Sequence, residues 1–569
     1  MNIHRTIFAA AIISLWFMHQ AYPCAAADQP VSEQSRPELM RLGERMYRDG
    51  LLPSGKIMAA FIKGDVELNS TAFACASCHL RAGLGSVEGG VVTPPTNGAI
   101  LFKPYRRPPT PDDIQERDKR QVSKPVIERR AYTRESLAIA LRSGIDPEGR
   151  IFNDVMPRYP LTDRDMSILI SYLEALSTKP SPGAGSKEIR FATIITDDVS
   201  LPDRQALLLP LQSFIAQKKQ QFELYNDFIK FGYTPTLDMK YAFRQATLDI
   251  WELKGPPETW QGQLSAYYHD KPVFVVLGGI SNRDWQPIHN FCEAERLPCL
   301  FPITDFPGFS ETGWYTYYFN KGYTQEGEAV ARYLNRQETL TAETPILQIV
   351  QDSPAGKALA TGFNNAWRDL ERPAVTTLTL PSDQLLDQAA LNKLLKKHKP
   401  GVLLLWTDGA PLPKLTATVA ELSAPSMVFV SSTLLGKNTS TIAEAVRDRV
   451  YITYPYRLTP YVGPKTGGLE ARVPILASAR DFGDRRITSR TASILKQATL
   501  NGLSQLDDNL YRDHLMDILS SQMMDLIVRD YEQLSFGPGQ RYVSKGCYII
   551  QLGPGSDPAL LPRSEWVIH

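Results

Sequence analysis

Ile346-Leu-Gln-Ile-Val-Gln-Asp-Ser-Pro-Ala-Gly356 sets the reading of the longer part of the chain. A short apolar, β-branched run, Ile346–Val350, suits a buried strand, and a turn then leads into a helical stretch, Ala355–Leu370. The same alternation recurs on both sides. Strands are expected at Arg190–Thr196, Val273–Gly278, Cys299–Ile303, Thr316–Phe319, Val375–Leu380, Val402–Trp406, Met427–Ser431 and Val450–Thr453. Helices are expected at Gln205–Tyr225, Gln325–Leu334 and Gln384–Lys397. Strand–helix alternation implies parallel sheets joined by right-handed crossovers. Residues 187–569 are long enough for two such sheets, hence two lobes. No fixed-period repeat is visible.

Upstream the texture changes. Residues 178–186, Thr-Lys-Pro-Ser-Pro-Gly-Ala-Gly-Ser, read as a linker, because that composition cannot build a core. Before it, residues 36–177 read as one compact unit with three main helices. These cover about Pro37–Asp49, Thr133–Ser143 and Thr162–Leu176, with Thr133 and Thr162 placed to cap the last two. The stretch Gly83–Arg130 between them is rich in Gly, Pro and Arg, and so long a piece without obvious structure asks for something to pack against.

The first residues have an export signal's layout: His4 and Arg5, an apolar run Ile7–Phe17, then Ala25-Ala26-Ala27. The reading is a signal peptide over 1–27, cleaved after about Ala27 and taking Cys24 with it. The rival is an N-terminal membrane anchor, for which the apolar run is short. No later segment is long and apolar enough to span a bilayer.

The chain has 569 residues, too many for one core. Its formal net charge is +1 and no basic run with interleaved aromatics occurs, so nothing argues for nucleic acid.

Cys75-Ala76-Ser77-Cys78-His79 carries the sharpest chemistry. In C-x-x-C-H two thiols add across the porphyrin vinyl groups, and the adjacent His stands under the iron as axial ligand. A zinc site would want four ligands, and no second C-x-x-C or His pair lies nearby. The expected cofactor is one covalent haem c, with His79 and a second ligand on the iron. Met156, in Asn153-Asp-Val-Met-Pro-Arg158, is the choice for that ligand. Met166 is the rival, although its place in a helix suits core packing. Pro94 or Pro95 could supply a carbonyl that orients His79. Arg81, Arg158 and Tyr159 are candidates to face haem propionates, with a solvated surface as the alternative.

With these residues in hand, residues 36–177 resemble a class I cytochrome c domain. Gly43 and Tyr47 in the first helix, with Tyr172 and Leu176 in the last, match that family's helix contact, and Met-Pro-Arg-Tyr matches its distal-ligand region. Residues 187–569 resemble a type I periplasmic binding protein, the group related to branched-chain amino-acid receptors. That likeness rests on Arg190–Ile195, Val273–Asn282, Tyr318–Gly322 with Gln325–Arg332, and Gln348–Gly356. The Thr196-Asp-Asp-Val-Ser200 turn departs from the Gly-rich turn often found after the first strand. The expected fold is therefore multidomain: an all-α cytochrome c domain followed by a two-lobed α/β domain with parallel sheets.

Ligands of open parallel sheets sit at the C-terminal ends of strands. The cleft candidates are Ser281, Thr304, Ser353 and Asp408, each with a turn or cap as its ordinary alternative. Cys292 and Cys299 could form a disulfide, which spacing alone does not fix. The leading expectation is a periplasmic electron-transfer protein with redox partner proteins and a fused ligand-binding or docking domain. The alternative is a solute receptor in which the haem is accessory. An enzyme is not expected: no second C-x-x-C-H, hydrolytic triad or nucleotide loop is present.

Overall fold

A computed structural model describes residues 35–62, 66–68, 71–88, 91–106, 128–232, 244–310, 312–341, 343–407, 418–419, 425–436, 441–459, 485–496, 502–522, 531–532, 534–535 and 540–568. The expected signal peptide lies outside them. The chain forms two compact units, 1–178 and 179–569.

In the first unit, helix α1 (Arg36–Asp49) lies against α4 (Asp163–Ala175). The contact is close because position 43 has no side chain. A Cβ there would stand 2.5 Å from the Tyr172 Cβ and 2.9 Å from the Ile168 carbonyl oxygen. Tyr47 packs beside it, its ring 5.6 Å from that of Tyr172. Helix α2 (Cys75–His79) is a single short turn, and α3 (Arg134–Ser143) starts with a reciprocal cap between Thr133 and Ser136. Thr162 caps α4, accepting from the Asp165 N–H at 3.1 Å.

The unit is not all-α as expected. Three short antiparallel pairs join Ala60–Ile62 to Val66–Leu68, Ser86–Glu88 to Val91–Thr93, and Tyr105–Arg106 to Glu128–Arg129. The Gly- and Pro-rich stretch holds only a short helical turn, Gly98–Leu101, and the last two of these ladders satisfy part of its backbone instead.

In the second unit, the first lobe is built on a parallel sheet of β1 (Glu188–Thr196), β2 (Gln245–Leu253), β3 (Val275–Leu277), β4 (Cys299–Leu300) and β5 (Thr316–Tyr317), ordered β5-β4-β3-β1-β2. Around it stand α5 (Leu201–Lys230), α6 (Trp260–Asp270) and α7 (Gln286–Ala294). The chain then enters α8 (Tyr323–Asn335) and a second sheet. Its strands are β6 (Ile346–Gln351), β7 (Thr376–Leu380), β8 (Val402–Trp406), β9 (Met427–Ser431), β10 (Val450–Tyr454), β11 (Gly546–Leu552) and β12 (Leu560–Pro562). Their order is β7-β6-β8-β9-β10-β11-β12, with Val567–Ile568 also pairing to β11. Strands β6 to β10 run parallel, and β11 and β12 run antiparallel at the end. Helices α9 (Pro354–Asp369) and α10 (Gln388–His398) serve this lobe. Helix α11 (Arg485–Lys496) packs back on α5, and Leu515, Met516 and Leu519 of α12 (Arg512–Gln522) enter the first lobe's core. The two-lobed parallel α/β architecture is thus as expected.

The stretch read as a linker is built into this unit at its end. The Ser181 N–H donates to the Leu510 carbonyl at 2.8 Å, and a Cβ at Gly183 would strike the Val273–Phe274 backbone.

Candidate functional site

The first site is the C-x-x-C-H turn. His79 is 5% exposed, and its Nδ1 lies 2.8 Å from the Pro94 carbonyl oxygen. A carbonyl only accepts, so Nδ1 carries the proton and Nε2 keeps its lone pair. Nε2 is buried with no hydrogen-bond partner, and burial lowers the ring's pKa, which favours neutral imidazole. A neutral imidazole with a free Nε2 lone pair is what a metal ligand requires.

The Pro94 carbonyl is itself held in place. The Gly85 N–H donates to the His79 carbonyl at 3.1 Å, and Gly85 (φ 81°) leaves no room for a Cβ against Thr93 and Pro94. Tyr47 Oη donates to the Leu80 carbonyl at 2.8 Å. Cys75 is buried, which pushes its thiol up to about 12, whereas Cys78 is exposed; neither forms a disulfide. An orphaned ring nitrogen beside two unbridged cysteines on one turn fits a thioether-linked haem.

Met156 lies at the edge of this core, half-buried. Its loop is stapled by Arg158, whose guanidinium donates to the Met156 carbonyl and, at 3.3 Å, to the Phe152 carbonyl. Arg158 therefore serves the loop. Tyr159 Oη donates to the Phe73 carbonyl at 2.9 Å. Met166 is 2% exposed on α4 among core side chains.

The second site lies in the two-lobed unit. A cavity of about 430 Å³ is lined by Asp284, Asp305, Phe306 and Pro307 from strand-end loops of the first lobe and by Thr324, Pro354, Lys357 and Ala358 from the starts of α8 and α9. This is where open parallel sheets take ligands. A cavity of about 240 Å³, lined by Ile346, Thr376 and the far ends of α8 and α9, lies at the opposite ends of the second sheet's strands. We favour the first on topology.

The predicted cleft residues sit near it in local roles. Ser281 Oγ accepts from the Arg283 N–H at 3.0 Å, and Thr304 Oγ1 from the Phe306 N–H at 3.0 Å. Ser353 caps α9, accepting from the Gly356 N–H at 3.1 Å. Asp408 lies outside the described residues. Beyond β1, Arg283 pairs with Asp197 at 3.0 Å and donates to the Gly255 carbonyl at 2.7 Å.

Sequence reasoning missed Asp284, Asp305 and Lys357, which stand one to four positions from residues it did choose. It also missed Glu326. That carboxyl is 1% exposed in the first turns of α8, accepts a hydrogen bond from Thr453 Oγ1, and leaves Oε1 unpartnered. Burial pushes it up to about 7, partly offset by hydroxyls of Thr433, Thr453 and Ser431. A charged residue inside the apolar pattern of Gln325–Arg332 was the available signal.

No family model and no curated protein matches the chain. Among solved structures it is similar to a fatty acid ABC transporter substrate-binding protein from Thermomonospora curvata (14% identity, 69% of this chain, 95% of that chain, TM-score 0.43). A possible leucine/isoleucine/valine-binding protein from Rhodopirellula baltica SH 1 gives 12% identity, 68% and 98% coverage and a TM-score of 0.45. A branched chain amino acid ABC transporter from Thermus thermophilus with bound valine gives 11%, 67%, 97% and 0.44.

The expectation that the chain is to be classed as a metal-binding, electron-transfer cytochrome with redox partners is corrected. Among the described residues no group of three or more His, Cys, Asp and Glu could hold a metal ion. Haem iron asks the protein for only one or two ligands, so the Cys75–His79 turn raises a question of cofactor rather than of class. Among the described residues no helix is long and apolar enough to cross a membrane.

Proposed function

We propose that the chain is an exported receptor for a small zwitterionic solute, bound between the two lobes, with one haem c carried as an accessory group by the first unit. The observation that carries this reading is the charge layout of the 430 Å³ cavity. Asp284 and Asp305 stand on the first-lobe wall, and Lys357 with the N-terminus of α9 on the other. A solute's ammonium suits the carboxylates. Its carboxylate suits Lys357 and the helix N-terminus. Lys357 is already paired with Asp352, so it is positioned before a ligand arrives. The volume is of the size small-molecule sites have.

Calorimetric titration of the full chain with valine and with a fatty acid tests the reading. Valine, or another amino acid, should bind, and Asp305→Asn and Lys357→Gln should each weaken it about tenfold or more, the loss of one charge-assisted contact. Binding of the fatty acid but of no amino acid would overturn the zwitterionic solute.

For the accessory group, Cys75 and Cys78 would form the thioether links, His79 would ligate the iron through Nε2, and Met156 would supply the second protein ligand. Such a group supplies a one-electron couple, which soft thioether ligation shifts towards the reduced state. The orphaned His79 Nε2 supports this assignment. Purified protein that retains no covalent haem in a pyridine-haemochrome assay would remove it.

A further inference from the structure

Cys292 and Cys299 are both fully buried in one apolar cluster of the first lobe, beside Trp285, Phe291 and Tyr318. Cys292 sits on α7 and Cys299 opens β4. The Leu297 N–H donates to the Cys292 carbonyl at 2.8 Å, which folds the short connection back on itself. The Cys299 thiol lies near enough that it, together with burial, raises the pKa of the Cys292 thiol. Their neighbours in that cluster are largely apolar. Glu293, next along α7, turns the other way to accept from the Trp314, Tyr315 and Thr316 N–H groups at 2.7, 2.8 and 3.0 Å. Two thiols in one buried cluster, on elements joined by a connection this short, are placed for side-chain adjustment to the disulfide distance of about 2.05 Å.

The elements they join are the two that build one wall of the ligand cavity. Asp284 immediately precedes α7, and Asp305, Phe306 and Pro307 follow β4. The Trp285 N–H donates to the Phe306 carbonyl at 3.1 Å, so the two segments already meet at the cavity end. A bond at their other end would close the wall into a covalent loop.

We propose that Cys292 and Cys299 form a disulfide that fixes the first-lobe wall of the cavity. Each thiol loses its proton and the pair gives up two electrons. The S–S bond forms as a small-molecule or protein disulfide is reduced to two thiols. Formation before burial is complete suits the site, since neither sulfur is exposed in the fold. The inference rests on the exported location proposed above, because oxidising compartments are where such bonds persist.

The test uses the full chain from the exported fraction, alkylated in denaturant without reductant and digested with trypsin. Arg283, Arg296 and Lys321 place the two cysteines on separate peptides, 284–296 and 297–321. The expected result is one cross-linked pair, with Cys547 alkylated. The same protein is also unfolded and refolded in oxidised glutathione. A cross-link that appears only there supports the pairing and overturns the export reading. Two separately alkylated peptides under both conditions, or glutathione retained on either cysteine, would overturn the disulfide. As a second measurement, reduction should lower the melting temperature of the wild type by a few degrees and leave that of Cys292→Ala/Cys299→Ala unchanged. An equal fall in both would also overturn it.

Discussion

The Nδ1 of His79 lies 2.8 Å from the carbonyl oxygen of Pro94, and that one contact fixes which ring nitrogen faces the interior. The partner can only accept, so the tautomer follows from chemistry. Gly85, at φ 81°, lets the chain double back to bring residues fifteen positions apart into register.

A first prediction concerns the second axial ligand. In wild-type protein carrying haem, a weak sulfur-to-iron absorption band is expected at the red edge of the oxidised spectrum. Met156→Ala should abolish it. Arg158→Ala should weaken it without removing the haem, because Arg158 holds the Met156 and Phe152 carbonyls of that loop. A band that survives Met156→Ala transfers the assignment to Met166.

The helix crossing gives a second. Gly43→Val would drive a side chain into Tyr172 and the Ile168 carbonyl. Overpacking of this kind costs about 1–3 kcal/mol. Calorimetry of the full chain should show the transition of the first unit shifted down and that of the second unmoved. Coincident shifts of both would contradict an origin confined to the α1–α4 contact.

A third follows from Glu326. Its folded-state pKa is raised to about 7 from an ordinary 4.5, chiefly by burial. The native state therefore binds the proton more tightly than the unfolded chain. Below about pH 4.5 both states hold it and no penalty exists. As pH rises from there through about 7, stability falls, by on the order of 2–4 kcal/mol in total. Glu326→Gln should flatten that part of the stability–pH curve and leave the variant more stable than wild type at pH 8. Urea midpoints at pH 5 and pH 8 measure it. A variant whose slope matches the wild type would place the titration elsewhere.

Arg512 supplies a fourth. The guanidinium, 5% exposed as a residue, donates to the carbonyls of Phe274, Glu295, Pro182 and Val273 at 3.2, 3.0, 3.2 and 2.5 Å, and to Tyr268 Oη at 3.1 Å. Arg512→Leu leaves these acceptors buried without a donor, at a cost of about 3 kcal/mol or more. A denaturant midpoint within error of the wild type would show that water replaces the guanidinium.

Much of the fold was legible because its elements carry their own signals. The strands Val402–Trp406 and Met427–Ser431 appear at their predicted bounds, since each is a run of residues buried on both faces. The caps at Thr133 and Thr162 were readable for the same reason: a cap is decided by a few adjacent residues. Strand β2, Gln245–Leu253, was missed. It lies at the sheet's edge and is only partly buried, so polar residues interrupt its pattern.

What the sequence determined by itself was local: the Cys75–His79 turn, the strand–helix alternation, and the caps at Thr133 and Thr162. Each depends on the identity of neighbouring side chains or on the spacing along one element. What only the tertiary structure decided was which distant groups meet. Pro94 rather than Pro95 receives His79. Glu326 loses water under Thr453. Asp284 and Asp305 come to face Lys357 across a cavity. Burial, hydrogen-bond pairing and charge proximity are properties of where chains cross, and crossings are set by packing far along the chain.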